Sequence, residues 1–311
     1  MPRRPIGKTP EFIRSELLEL LSDFEHHLVR KDLREKVKSL VPAFHLLRDL
    51  GSSLIPHQEA PAARDRILAY FRKYPFLVIH GDELMVVSGI QDWPRRIREL
   101  RREFGWSIAS GVTLKEMLLE EEFELVDVNI DSLKPEEYML LNDSQDREAA
   151  LRWRIANDIR KKKLGARQKI LEFLRNNVGR SVTGEELRYV ANDKTEWARR
   201  TRELRTEHGW PIATQYTGRP DLAIGVYILE QDRQSPAHDR NIHDRVRRGV
   251  LVRDKYTCTE CGWTHEMWNP SDPRHLELHH VKHHAKGGRN IKENLITVCS
   301  VCHDDIHRKK K

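Results

Sequence analysis

Trp93-Pro-Arg-Arg-Ile-Arg-Glu-Leu-Arg-Arg-Glu-Phe-Gly-Trp-Ser-Ile-Ala109 lines up with Trp197-Ala-Arg-Arg-Thr-Arg-Glu-Leu-Arg-Thr-Glu-His-Gly-Trp-Pro-Ile-Ala213, and the two stretches agree at 12 of 17 positions. Chance does not produce that agreement, so the chain holds an internal repeat, which sets the domain count before any fold is considered. The match continues upstream in kind: Ile67-Leu68 precedes Glu83-Leu84 in the first copy as Ile170-Leu171 precedes Glu186-Leu187 in the second. Each copy is one small domain of about a hundred residues or fewer.

Within a copy, periodicity predicts a helix over 65–73 (167–176), a short helix over 81–87 (183–190), and a longer helix starting at Trp93 (Trp197). The last stops at Gly105 (Gly209), a glycine placed as a helix C-cap. Residues 210–229 then read as a strand, a Gly/Pro/Asp turn and a returning strand. Three helices followed by a hairpin make a winged helix-turn-helix, and Leu-Arg-x-x-x-Gly-Trp-x-Ile (204–212) resembles the third helix and first wing strand of many winged-helix regulators. In the first copy an acidic stretch replaces or extends the wing.

At about 100° per residue, Trp93, Ile97, Leu100 and Phe104 share one stripe of the third helix and Arg95, Arg98 and Arg102 lie opposite. In the second copy Trp197, Thr201, Leu204 and His208 take the stripe, leaving Arg199, Arg202 and Thr206 on the outer face. Such a helix suits a DNA major groove, where arginine bonds bidentately to guanine and holds phosphates. Pairing with Glu99, Glu103, Glu203 and Glu207 on a solvated helix is the alternative.

Outward from the repeat, the 311 residues include 55 Lys or Arg and 48 Asp or Glu, a net charge of +7. The charge is segregated. Thr113 to Glu148 holds twelve acidic residues against Lys115, Lys134 and Arg147, a net of −9, so the remainder carries +16. Basic faces that meet phosphate and an acidic lobe left in water or against another protein surface fit that division. Arg152 to Lys169 has eight basic residues against Asp158 on a predicted helix, suited to phosphate contact or to a solvated linker. Residues 1–60 read as helices, with Phe12, Leu17, Leu18, Leu20, Leu21 and Phe24, then Leu33, Val37, Leu40, Val41, Phe44 and Leu47, recurring at three- and four-residue steps, as in a helical cap or dimerisation element. No window approaches the roughly 20 apolar residues of a membrane span, and MPRRPIGKTP has no apolar run after its charges. Membrane and secreted classes are therefore not expected.

The four cysteines come as Cys258-x-x-Cys261 and Cys299-x-x-Cys302. Two such knuckles suit a tetrahedral structural zinc, with redox use the alternative for either alone. Reduced, metal-binding cysteines predict a cytoplasmic setting. Between them lie His275-Leu-Glu-Leu-His279-His280-Val-Lys-His283-His284-Ala-Lys-Gly287-Gly288 and Asn294, and the last knuckle opens a helix with His303 and His307 one turn apart.

This order of C-x-x-C, His-His, Gly-Gly, Asn-Leu and C-x-x-C-His-x-x-x-His closely resembles the HNH endonuclease family with its ββα-metal finger, over roughly 250–311, and is similar to the nuclease domains of bacterial DNase toxins. The resemblance implies that His280 is the general base. It makes His279, His303 and His307 ligands of a catalytic divalent ion, magnesium or manganese with nickel and cobalt as further candidates. Asn294 would fix the loop and the orientation of His280, and Cys258, Cys261, Cys299 and Cys302 would hold zinc. Many relatives have Asp where His279 stands. His283 and His284 read as surface or phosphate contacts. A zinc ribbon that only binds DNA would have no need of these histidines together.

The expected architecture is α+β and multidomain: helices over 1–60, winged helices over 61–146 (with the acidic extension) and 167–232, a basic linker helix over 147–166, and the HNH domain over 233–311. The combination resembles a restriction endonuclease that cuts double-stranded DNA as a homodimer, through 1–60 or the first winged helix, in restriction–modification and phage defence. Modification-dependent restriction enzymes also join tandem recognition modules to HNH domains. The alternatives are a nicking or mobile-element HNH nuclease, and a DNA-binding regulator with an inactive nuclease domain.

Overall fold

Helix α1 (Pro10–Asp23) begins at Thr9, whose hydroxyl accepts from the Phe12 amide, with Pro10 in the first turn where no amide hydrogen is needed. After the short α2 (Glu25–Leu28), Asp32 caps α3 (Leu33–Ser53) by accepting from the Arg34 and Glu35 amides. The computed structural model describes residues 8–29, 31–122, 129–236, 239–269, 271–283 and 287–309. Residues 1–111 with 135–149 form one unit and 112–134 with 150–311 a second.

In the first unit α3 packs on α1 and, at its far end, on α5. The first repeat supplies α4 (Ala63–Lys73), β1 (Ile79–His80), α5 (Gly81–Ser88), α6 (Trp93–Arg102), β2 (Ile108–Ser110) and, beyond the acidic stretch, β3 (Glu137–Leu140). Before β3, helix α7 (Gly111–Leu119) carries the chain into the second unit, and α8 (Ala149–Arg160) lies beyond it. The sheet order is β1-β3-β2, all antiparallel, with Ile79 opposite Tyr138 and Ile108 opposite Leu140. The apolar stripe of α6 does what its spacing predicts: Ile97 and Leu100 join Ile67, Phe71, Leu84 and Leu140 in one core. Buried Arg66 donates to the Val87 and Ser88 carbonyls, satisfying the otherwise open end of α5.

The second repeat repeats the order: α9 (Ala166–Arg175), β4 (Ser181–Thr183), α10 (Gly184–Val190), α11 (Trp197–Thr206), β5 (Ile212–Ala213) and β6 (Val226–Leu229), with sheet order β4-β6-β5. Helices α6 and α11 end two residues earlier than expected, with Glu103 and Glu207 as C-caps, and Gly105 and Gly209 follow in the left-handed region, both at φ +69°. The leading strand of each copy, two or three residues long, escaped the sequence reading, and the first copy regains its returning strand at 137–140.

Two expectations are revised here. The basic helix α8 is no free linker: buried Arg152 pairs with Glu186 at 2.9 Å, and Arg160 with Asp193 at 2.7 Å, both against the second repeat. The part of the acidic stretch that joins this unit is likewise a packing element. Thr113 donates to Glu185 at 2.7 Å, and Glu122 meets buried Arg205, which Asp244 also holds. Residues 123–128 of that stretch lie outside the described residues.

Next come α12 (Asp244–Arg253), the antiparallel pair β7 (Leu276–His280) and β8 (Leu295–Cys299), and α13 (Ser300–Lys309). Val250, Leu251, Trp263, Leu276, Leu278 and Val298 form a small core beside the cysteines. No described helix is long and apolar enough to cross a membrane.

Candidate active site

Each cysteine pair sits where one chain reversal offers both sulfurs, and all four Sγ atoms lie within 4.8 Å of one another. The Cys302 amide donates to Cys299 Sγ at 3.4 Å, the local bond that shapes such a knuckle. Burial and neighbouring sulfurs push the Cys299 thiol up to about 11, a cost that a bound dication reverses by taking the thiolates as ligands. Four sulfurs at this spacing are the donor set of a structural zinc.

The second cluster forms at the β7–α13 corner. Pairing of β7 with β8 sets His279 opposite Ile296 and His280 opposite Leu295, and the helical step from His303 to His307 brings both rings to the end of β7. His279, His303 and His307 come together as predicted, with the His279 ring 5.1 Å from each of the other two. A residue the sequence reading missed completes the set. Asp239, buried in the segment before α12, has its Oδ2 3.0 Å from His303 Nε2 and 3.3 Å from His307 Nε2. One donor atom from each of Asp239, His279, His303 and His307 lies within 4.8 Å of the rest. Three imidazoles and one carboxylate fit a divalent transition ion better than magnesium, which favours oxygen and retains water.

His280 is fully buried beside this cluster. Its Nδ1 lies 2.8 Å from Asp239 Oδ1 and its Nε2 2.6 Å from Asn290 Oδ1, while Asn290 donates its amide to the Asn241 carbonyl. The bond to Asp239 raises the His280 pKa above the usual histidine value, burial notwithstanding. Asn294 does not touch the ring. Its Oδ1 accepts from the Lys282 amide and its Nδ2 donates to the Lys282 and Arg289 carbonyls, closing the loop after β7 as expected of it, while the side chain that contacts His280 Nε2 is Asn290. The His283 ring lies 5.5 Å from His279, and His284 is outside the described residues.

Glu277 orients His303. Its Oε2 lies 2.5 Å from His303 Nδ1 and its Oε1 3.1 Å from His275 Nε2, which turns His303 Nε2 toward Asp239. Burial works to raise the Glu277 carboxyl, but the two histidines hold it well below the carboxylate range. His303 is lifted to about 9: burial lowers it, and the bonds to Asp239 and Glu277 outweigh burial. Strand alternation carried a signal for Glu277, because His275, Glu277 and His279 share one face.

On α6, Arg95 and Arg98 are exposed and Arg102 half-buried, with Arg95 3.3 Å from Glu99. On α11, exposed Arg199 lies 3.2 Å from Glu203, Arg202 is engaged by Glu120 at 2.5 Å, and Thr206 donates to the Arg202 carbonyl.

Residues 258–309 match the family model described as HNH endonuclease. These residues form an HNH endonuclease domain. Residues 64–141 and 167–230, the two repeats, match the model described as KpnI N-terminal domain. Over 65 residues the chain is 29% identical to the type IV methyl-directed restriction enzyme EcoKMcrA of Escherichia coli (strain K12), covering 21% of this chain and 24% of that protein. The chain thus spans about a quarter of that relative's length. No solved structure matches. The HNH domain therefore follows two segments similar to a restriction-enzyme domain.

Proposed function

We propose that this chain is a site-specific DNA endonuclease of restriction type, in which the two repeats supply the address and the HNH domain hydrolyses the phosphodiester bond. The observation that carries this reading is the Asp239, His279, His303 and His307 cluster with buried His280 against it. His280 is the general base: Asn290 Oδ1 accepts from Nε2–H, and Nδ1, which faces Asp239 Oδ1 at 2.8 Å in this structure, would take the proton of the attacking water once it has lost its own proton and Asp239 is engaged by the cation. Water oxygen bonds to phosphorus, the bond to the 3′ oxygen breaks with its electron pair leaving on that oxygen, which takes a proton from solvent, and 5′-phosphate and 3′-hydroxyl ends result. A divalent ion held by the cluster would neutralise charge on the phosphate and the leaving oxygen. Asn294 keeps the loop after β7 in place, and Glu277 keeps His303 aimed.

The helix-strand-helix-helix-strand-strand order of each repeat supports reading both as winged helices, with α6 and α11 as the groove-facing helices. Arg95, Arg98, Arg102, Arg199, Arg202 and Thr206 are the proposed DNA contacts. Exposed arginine–glutamate pairs on these helices are weak enough to exchange for phosphate. Modified DNA is the first substrate to compare, given the methyl-directed relative. Double-strand cleavage needs a centre on each strand, so two copies act together.

The test is digestion of phage DNA in modified and unmodified forms with manganese, nickel, cobalt or magnesium, using wild type beside His280→Ala. Discrete fragments from wild type only are expected. Duplex binding without cleavage of either form under any ion would refute the nuclease reading and leave a DNA-binding regulator.

A further inference from the structure

Helix α3 is too apolar for the side it turns to water. Leu33, Val37, Leu40, Phe44 and Leu47 follow steps of four, three, four and three, the spacing of a seam made to meet other helices. These side chains are 72, 55, 38, 62 and 57% exposed. Helix α3 packs against α1, and the residues buried along their lengths, Ala43 of α3 and Ile13 of α1, lie outside that stripe. Taking about 100° per residue, the exposed stripe of α3 is rotated roughly 80° from Ala43. On α1, exposed Leu18 and Leu21 lie about 80–140° from Ile13 in the same rotational sense. The short link between α1 and α3 makes them antiparallel neighbours, and equal rotations then bring both stripes to one face of the hairpin.

We propose that this face pairs with the same face of a second copy, so that two hairpins close into a four-helix bundle. Three observations select a second copy over other occupants. The heptad-like steps suit helices, not a flat surface. The face gathers seven exposed large apolar side chains, Leu18 and Leu21 of α1 with the five of α3, more than a soluble monomer commonly leaves together in water. The charges are complementary across a two-fold: α1 carries Glu11, Glu16, Glu19 and Asp23 against Arg14, whereas α3 carries Arg34, Lys36, Lys38 and Arg48 against Glu35 and Asp49. Antiparallel stacking sets α1 of each copy over α3 of the other. The acidic α1 also repels nucleic acid and anionic lipid. The assembly stands on the surface itself, and its consequence, delivery of two HNH centres to one duplex, rests on the nuclease reading above.

Sedimentation of the full chain at micromolar concentration tests it. Wild type is expected near twice the 36.6 kDa chain mass, and Leu40→Glu with Phe44→Glu at the single-chain mass, with unchanged helicity. Leu33→Asp with Leu47→Asp, at the ends of the stripe, should do the same. A monomeric wild type at tens of micromolar, or well-folded variants that remain dimeric, overturns the proposal. On supercoiled plasmid the wild type should give linear product and the monomeric variants nicked circles. If neither cuts while the mass still halves, the bundle stands and the nuclease reading falls.

Discussion

Glu277→Gln is the sharpest perturbation the site offers. Glu277 is nearly isosteric with glutamine and only 13% of its side chain is exposed, so the change removes a charge with little change in shape. Its two oxygens hold His275 Nε2 and His303 Nδ1 at 3.1 and 2.5 Å, and the second bond aims His303 Nε2 at the cluster. A carboxylate behind a ligating imidazole raises its basicity and fixes its tautomer, and losing one costs about 10–100-fold in metal affinity, which is about 1.4–2.7 kcal/mol. Glutamine keeps an acceptor for one histidine but presents a donor to the other, so one ring must change tautomer or lose its bond, and the negative charge that raises the basicity of His303 is gone in either case. Titration with cobalt of protein that holds zinc on its four cysteines and no cation at the histidine cluster, followed by calorimetry and by the visible ligand-field bands, measures the loss. Asn294→Ala, which opens the loop without touching the cluster, serves as the comparison. Affinity and band positions unchanged in Glu277→Gln would refute the positioning role.

Removal of zinc should melt the C-terminal domain, because its core is small and structural zinc contributes on the order of 10 kcal/mol in such domains; Cys258→Ala should lose zinc by elemental analysis and the near-ultraviolet signal of buried Trp263 with it. Arg205→Met leaves the buried Glu122 and Asp244 carboxylates without their cation and should cost about 3–5 kcal/mol in denaturant unfolding; a loss under 1 kcal/mol would show the triad to be dispensable. In the absence of a cation, His303 at about 9 lies above the ordinary 6.5, so its protonated form contributes stability present in full below about pH 6.5 and lost as pH rises through 9. Over that window cation affinity should climb by up to tenfold per pH unit for the proton displaced, read by calorimetry in buffers of different ionisation heat; a flat profile would count against it.

The repeat, its helix-ending glycines, the apolar stripes and every histidine and cysteine of the two clusters were legible because each signal is local: a period, a helix-end glycine or a ligand spacing within one element. What escaped is non-local. Asp239 stands 40 residues before His279, and no period links them. Arg152 and Arg202 look alike in sequence, yet one is buried on Glu186 and the other is met by Glu120, because partners from distant segments decide what a charge does. Strands β1 and β4 are too short for alternation to register, and they exist because β3 and β6 pair with them.

The place of Asp239 has a physical consequence for how address and chemistry relate. The segment that carries it is tied by its backbone to the end of α11: Ser235 donates to the Gly209 carbonyl at 2.7 Å and Asn241 to the Thr206 carbonyl at 2.7 Å, while the Gln234 side chain donates to the His208 carbonyl. Thr206 is the last residue of α11, where a helix end leaves its carbonyl open, and His208 and Gly209 follow it in the turn beyond, so the segment satisfies the end of α11 and is held by it. His279, His303 and His307 come from the HNH domain, but the fourth donor, Asp239, which is also the carboxylate partner of His280, is tied to the end of the third helix of the second repeat. The site is therefore assembled by the repeat and the HNH domain together, and a displacement of α11 along its axis moves a carboxylate that His280, His303 and His307 all contact.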